Sequence, residues 1–445
     1  MKTLRFVVAA AVALGSVSAF ATNARVESMG KNSTFIMDDI SIFDNPANMN
    51  LYPNFLIGEL GNYMHKDAKN VQAGQNQDPW DPWFGGIFSL GIGAEKSVSI
   101  GGILNRKDER LFKFFPDIIR VGNIGAGYIE TPDPVTNFDG FLGANLNNVA
   151  IGAHIYIAHQ DGLDKNGFIN GNAFVSALQG DLGTNIELSS KYALEVSGGF
   201  YRIQYGPSDR EFFDLDVWST FGRTRLFSKI DAINGHLIPA ASIYITNAPG
   251  RDEKDFNLGM GVDAAFDRGF FWMGLQGFYN EQRAGSTWTK NFMTGEAIFH
   301  DPDNGSDAWG PRGDRTSLWQ FGGTISFGIE RNIWWDWFVI RVGGKKTIAY
   351  VDYTHSKANE RSVLCPTMNR SGEPNSNIKC SESGNYFVTN KINDGSPDDN
   401  VGFGFGVNIE EKLKIDASVS EDLLFRNPFQ GGGRLLSRIS ATYSF

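Results

Sequence analysis

The sequence predicts an all-β fold, a transmembrane antiparallel β-barrel, and three observations carry that reading. The last strand-like run, Leu435 to Phe445, puts Ile439, Ala441, Tyr443 and Phe445 on one face and Arg438, Ser440, Thr442 and Ser444 on the other, since strand side chains alternate. Beyond the N-terminal leader no segment approaches 18 uninterrupted apolar residues, so no helix is expected to cross a membrane. A closed barrel is the non-helical structure that satisfies its backbone in lipid. From about residue 54 onward, strand-like runs are joined alternately by tight turns and long polar loops, with turns at one end and loops at the other, as in a membrane barrel.

Composition agrees. The chain has 52 Gly, 35 Phe and 13% aromatic residues. Its mean hydropathy of −0.25 excludes a helical membrane protein and suits a barrel with a polar interior. The net charge of −10 becomes −12 once Lys2 and Arg5 are removed with the leader, which argues against a nucleic-acid partner.

Taken in chain order, residues 1–21 have the three parts of a secretory signal peptide: basic Lys2 and Arg5, an apolar core from Phe6 to Leu14, and the small-x-small site Ala19-Phe20-Ala21. The mature chain is expected to start at Thr22. Residues 22–53 lack strand alternation. Pro46 fixes its own backbone and biases Asn45 away from helix. Asn45, Asp38 and Asp39 can offer acceptors to exposed backbone groups.

Residues 54–445 read as hairpins. Tight connectors fall at Ala94-Glu95-Lys96, Asn147-Asn148, Ser189-Ser190-Lys191, Asp267-Arg268-Gly269 and Glu410-Glu411-Lys412. Long ones fall near 64–82, 105–137, 159–169, 205–216, 247–254, 282–315, 354–399 and 422–434. The direct count is about 16 strands, with the weakest runs near 54–62 and 217–231. Trp80, Trp83, Trp272, Trp319, Trp334, Trp335 and Trp337 lie near strand ends, where aromatic girdles or ordinary strand aromatics would both place them.

Cys365 and Cys380 are the two cysteines and share a polar loop. In an exported chain they read as an intraloop disulfide, restricting the unfolded chain by about 3 kcal/mol. No nucleophile motif, metal-ligand spacing or phosphate loop is found, so no enzyme activity, metal or cofactor is expected. His154 and His159, five apart on one strand, should face opposite sides. The acidic run 301–307 lacks the EF-hand arrangement and reads as a surface loop.

Two resemblances sharpen the reading. A chain ending on Phe445, two residues after Tyr443, resembles the terminal strand of bacterial outer-membrane barrels, which the barrel assembly machinery reads. That implies the outer membrane and its lipid as surroundings. The order Ala24-Arg25, Met29-Gly30, Asp38-Asp39, Asn45-Pro46-Ala47 right after the leader resembles the mature N-terminus of FadL-type outer-membrane transporters and their PorV-like relatives. Asn48 stands where that family usually has Gly. The match covers about 25 residues, and it implies a barrel of about 14 strands, rather than the 16 counted directly, with residues 22–53 folded inside as a hatch. The structural or gating residues it implies are Arg25, Met29, Gly30, Asp38, Asp39, Asn45, Pro46 and Ala47. It implies uptake or passage of a hydrophobic, fatty-acid-like molecule through a pocket of inward apolar side chains. The alternatives are a PorV-like surface partner for secreted proteins, using the loops at 282–315 and 354–399, and a structural outer-membrane protein. The ligand-binding residues lie outside the matched motif and stay unassigned.

Overall fold

A computed structural model describes residues 22–60, 82–93, 96–106, 108, 118–121, 128–130, 136–163, 172–207, 215–248, 251–284, 288–290, 297–299, 315–356, 381–388, 400–410, 412–419 and 436–445. The signal-peptide region, Trp80, Cys365 and Cys380 lie outside the described residues.

The strands, in chain order, are β1 (Phe55–Leu60), β2 (Trp83–Gly93), β3 (Lys96–Leu104), β4 (Ile118–Val121), β5 (Tyr128–Glu130), β6 (Thr136–Leu146), β7 (Val149–Leu163), β8 (Asn172–Ser189), β9 (Tyr192–Pro207) and β10 (Leu215–Ile230). They continue as β11 (Gly235–Ala248), β12 (Arg251–Phe266), β13 (Gly269–Ala284), β14 (Trp288–Lys290), β15 (Ala297–Phe299), β16 (Arg315–Asn332), β17 (Phe338–Ser356), β18 (Ser381–Val388), β19 (Asn400–Ile409), β20 (Leu413–Val419) and β21 (Leu436–Ser444). Seventeen of these form one sheet, and β4, β5, β14 and β15 form a small separate one. Every pairing in the large sheet is antiparallel. It closes on itself where β1 pairs β21, Phe55 against Ser444 and Leu60 against Ile439.

The wall has sixteen positions rather than fourteen. β18 pairs the outer half of β17, from Ala349 to Ser356, and β19 pairs its inner half, from Phe338 to Lys345. The seventeen segments therefore occupy sixteen places. The N-terminal motif does not fix the number of hairpins that follow it, so the resemblance to 14-stranded barrels does not carry over to the wall. The two weak runs are real strands, β1 and β10. Barrel diameter grows with strand number, so two more strands leave a wider lumen to fill.

Two loop expectations also change. The connector expected near 247–254 is tight, because β11 and β12 stay paired to Ala248 and Arg251. The loop expected at 354–399 contains β18. Several tight turns use left-handed residues: Asn147, Asn234, Arg268 and Glu410 have φ of 73°, 47°, 58° and 52°. That conformation matches the twist of two-residue hairpins.

Alternation along each strand divides the wall into two faces. Outward residues such as Phe84, Leu90, Ile100, Leu142, Leu182, Leu258, Leu275, Ile325 and Ile348 are exposed. A continuous exposed apolar band around a closed sheet is a surface for hydrocarbon. The intervening residues point inward and are buried, including Glu59, Glu195, Arg225, Glu330, Arg341, Asp416 and Arg438. On β21, Arg438, Ser440 and Thr442 are buried and Tyr443 and Phe445 exposed. His154 is buried and His159 exposed, on opposite faces of β7. The aromatic girdle assignment fails for Trp83 and Trp272, which are buried inside. Trp334, Trp335 and Trp337 are exposed in the turn between β16 and β17.

Candidate functional site

What fills the lumen is residues 22–53. Twenty of these 32 residues are buried and only Leu51 and Pro53 are exposed, and they bond to inward side chains on strands from every side of the wall. Only a segment inside the barrel can do both.

The segment is built from short capped turns. Thr22 caps helix α1 (Asn23–Ser28), its hydroxyl accepting from the Arg25 amide at 3.4 Å. The helix stops at Met29-Gly30. Gly30 has φ +93°, and the Lys31 amide donates to the Val26 carbonyl at 2.9 Å, the long hydrogen bond of a Schellman end. A Cβ on Gly30 would also lie 2.8 Å from the carbonyl oxygens of Phe327 and Gly344 on the wall. Met-Gly is thus both a helix stop and a point of close approach. The Asn45 side chain accepts from the Ala47 amide at 3.1 Å and so caps the 3-10 turn Pro46–Asn50. Pro46 fills the first position of that turn, where its missing N–H leaves no bond unmade.

Polar wall contacts fix the segment. Arg25 donates to both oxygens of Glu330 on β16, at 2.8 and 2.7 Å, and Arg341 on β17 donates to the same carboxylate at 3.0 Å. Arg341 also pairs with Asp416 on β20 at 2.6 Å, and the Thr22 hydroxyl donates to Asp416 at 3.0 Å. Asn23 donates to Glu59 on β1 at 3.1 Å, and Ser418 donates to Glu27 at 2.8 Å. Across the lumen, Arg225 on β10 donates to the carbonyls of Ser33, Thr34 and Ile36, at 3.4, 3.2 and 3.3 Å. Asn45 donates to Asn185 on β8 at 2.6 Å, and Arg223 pairs with Asp44.

Glycines on the inner wall give the segment its space. A Cβ at Gly152 or Gly183 would run into Asn45-Pro46-Ala47, at Gly343 into Met29-Gly30, at Gly404 into Ser28, and at Gly261 or Gly274 into the Phe35 ring. In a strand, glycine marks such close approach.

Asp38 and Asp39 do something other than cap. Asp38 precedes the 3-10 turn Asp39–Phe43 without a side-chain cap bond. Both of its carboxyl oxygens are buried with no hydrogen-bond partner among the described residues. Burial pushes the Asp38 carboxyl up to about 8, opposed by the Arg25 guanidinium. Burial, with Asp38 adding to it, also holds Asp39 well above the usual carboxylate range. Asp39 accepts one bond, from Thr442 on β21 at 3.0 Å.

Apolar packing completes the site in two clusters. On β1, β2, β3 and β6, the inward residues Phe55, Ile57, Trp83, Ile87, Ile103 and Phe141 pack against Val26, Ile40, Ile42 and Met49 of the segment, with Phe43 and Tyr52 at the edge. The second cluster joins Met29, Phe35 and Ile36 to Phe227, Ile238 and Trp272. Phe43 sits in an aromatic box. Arg106 stacks on its face 4.0 Å from the ring centre, and Trp83, Phe141 and His154 meet it edge-on. A cavity of about 140 Å³ remains between the segment and β9–β13. Its lining carries the polar and charged side chains of Asp44, Asn45, Glu195, Ser197, Arg223 and Arg225.

All eight motif residues therefore lie in the lumen, but with unequal partners. Arg25, Asp39 and Asn45 bond to the wall, Met29, Gly30, Pro46 and Ala47 lie against wall glycines or carbonyls, and Asp38 is buried without a bond. The wall residues that hold them went unassigned in the sequence. Their signal was available in principle: charged residues on the inward register of otherwise apolar strands, as at Glu330, Arg341 and Asp416.

No protein-family model and no curated protein matches the chain. Among solved structures, the Pseudomonas putida toluene transporter TodX is 10% identical, over 95% of this chain and 97% of its own, with a TM-score of 0.35. The CymD monoaromatic hydrocarbon channel is 12% identical, over 96% and 99%, at 0.37. The Escherichia coli K12 ferric-catecholate import receptor Fiu is 7% identical, over 88% and 82%, at 0.33. Likeness this distant does not choose between a hydrocarbon channel and an import receptor, so the functional reading rests on the geometry.

Proposed function

We propose that the chain is an outer-membrane barrel that passes a hydrophobic, fatty-acid-like small molecule past its N-terminal hatch. The observation that supports this is the inward apolar patch on β1, β2, β3 and β6. Barrel interiors are otherwise polar, and here six large apolar side chains point inward and are covered by Ile40, Ile42 and Met49 of the hatch. If the hatch withdraws, it leaves a slot lined by Phe55, Ile57, Ile87, Ile103 and Phe141, suited to an apolar chain or ring. The cavity on the far side, about 140 Å³ with Asp44, Glu195, Arg223 and Arg225 in its lining, is too small and too charged for such a ligand.

The hatch is held in a way that lets it move as a unit. It is held by side-chain bonds and apolar packing, with no strand pairing to the wall among the described residues, so it can leave without breaking the ladder of the barrel.

The test is uptake of labelled oleate into liposomes containing the full chain. Wild-type protein should exceed protein-free liposomes, and Ile57→Asn with Ile103→Asn should lower uptake while the barrel stays folded. A folded barrel with its hatch inside and no uptake overturns the transport reading and favours the secretion-partner alternative.

A further inference from the structure

The wall treats two aromatic rings of the hatch differently. Phe35 lies against wall glycines and Trp272, in an apolar cluster. Phe43, the last residue of the 3-10 turn Asp39–Phe43, is only partly buried. The guanidinium carbon of Arg106 stands 4.0 Å from its ring centre. Trp83, Phe141 and His154 meet the ring edge-on, with centres 6.4, 5.8 and 6.4 Å away. Among the described residues, Phe43 is the one hatch ring with a wall guanidinium over its face. Packing alone calls for no cation there. A cation over a ring is an electrostatic contact with the negative face of the π system.

The box around Phe43 is braced by the wall itself. Arg106 donates to both oxygens of Asp139 on β6, from Nε at 3.0 Å and from Nη2 at 2.5 Å, and it reaches Asp108 at 3.5 Å. Those carboxylates take the edge of the planar guanidinium and leave a face for a ring. His154 on β7 is held between Asp139 at 2.9 Å and Asp181 of β8 at 2.8 Å. Phe141 stacks on the His154 ring at 4.5 Å. The Trp83 indole donates to Glu59 of β1 at 3.2 Å. None of these braces comes from residues 22–53. Withdrawal of the hatch therefore removes the Phe43 ring and leaves the box standing, already organised to receive another. Trp83 and Phe141 also line the apolar slot, so the box is the end of that slot.

We propose that the box is a ring subsite: it takes an aromatic ring at the end of an apolar ligand, with Phe43 as the chain's own placeholder. Arg106 is the residue that selects an aromatic ring over a saturated one. The subsite rests on the reading that the hatch withdraws from the slot, and it adds to that reading the chemistry of the ligand's far end.

The test uses the full chain in detergent, with hydrogen exchange of the peptide carrying Phe43 read by mass spectrometry. In the wild type, phenyldecanoate with its ring at the chain end should displace the placeholder and speed hatch exchange. It should act at a concentration about fivefold lower than cyclohexyldecanoate, which is similar in size and has no π face. In Phe43→Ala a bare ring should have the opposite effect, because benzene fills the vacated box and slows hatch exchange. Cyclohexane should need about fivefold more, and hexafluorobenzene, whose quadrupole is reversed, more still. Arg106→Met should erase these preferences, and the ring series on the other two proteins carries the test if that variant fails to fold. Equal responses to benzene and cyclohexane in Phe43→Ala, or to the two acids in the wild type, overturn the proposal. A wild-type hatch that neither acid moves makes the box a latch alone, and overturns it too. The benzene measurement involves neither slot nor transport, so a failed uptake experiment and an absent ring preference are told apart.

Discussion

Removing Arg25 should release the hatch without unfolding the barrel. Its guanidinium is buried and makes two bonds to Glu330, and it lies 5.5 Å from the centre of the Phe270 ring. Breaking a buried pair by deleting one partner costs about 3–5 kcal/mol, mostly because the remaining charge is stranded. Glu330 is not wholly stranded here, since Arg341 still donates to it at 3.0 Å. The expected loss in Arg25→Ala is therefore at the low end, about 3 kcal/mol. That is roughly a hundredfold in the ratio of docked to undocked hatch. Hydrogen exchange read by mass spectrometry reports it directly: peptides from residues 22–50 should exchange about a hundredfold faster, and peptides from β8 to β13 should not change. Adding Glu330→Ala should restore part of the protection, because the uncompensated carboxylate goes with it. Hatch exchange within about twofold of wild type would refute the argument. So would an equal rise in hatch and barrel strands, which would mean that Arg25 stabilises the whole fold.

The remaining predictions concern pH, space and assembly. Asp38 has its carboxyl raised in the docked state to about 8, so that state binds the extra proton. Docking should be strongest below the ordinary carboxylate range, weaken as pH rises from about 4 to about 8, and level off above. Hatch exchange corrected for intrinsic rate should follow that slope, and Asp38→Asn should lessen it, leaving the part that the raised Asp39 carboxyl supplies. In Gly343→Val the new side chain would meet Met29-Gly30, with the Gly30 nitrogen 2.5 Å from its Cβ. That variant should show faster hatch exchange, while Gly277→Ala on the open outer face should match wild type. The Phe445 ring packs 5.5 Å from Phe88 and 6.2 Å from Tyr443, and its amide donates to the Asn54 carbonyl. Phe445→Asp should lower the heat-modifiable, folded fraction in membranes, and unchanged assembly would remove the reading of the C-terminus as a signal.

The sequence by itself determined the barrel and the separateness of its N-terminal segment, because both rest on local periodicity. Alternation at Arg438–Phe445 shows on which face each residue lies before any partner is known. The loss of alternation before residue 54 marks chain that cannot be wall. Turn chemistry at Asn147 and Asp267-Arg268 is equally local. The hairpin count carries the strand number; the N-terminal motif of about 25 residues carries none of it.

Only the tertiary structure decided what the inward residues do. Trp83 and Trp272 read like girdle aromatics because a strand end looks alike from either face. Their partners, Phe43 and Phe35 of the hatch, are far away in the chain. Arg25 and Glu330 are 305 residues apart, and no local pattern announces such a pair. The same holds for glycine. Gly343 and Gly277 are indistinguishable in sequence, yet one makes room for the hatch and the other faces outward, where a Cβ would meet nothing nearer than 3.8 Å. What separates them is which side of a one-layer wall they face and what lies opposite, and closure of the sheet alone fixes that.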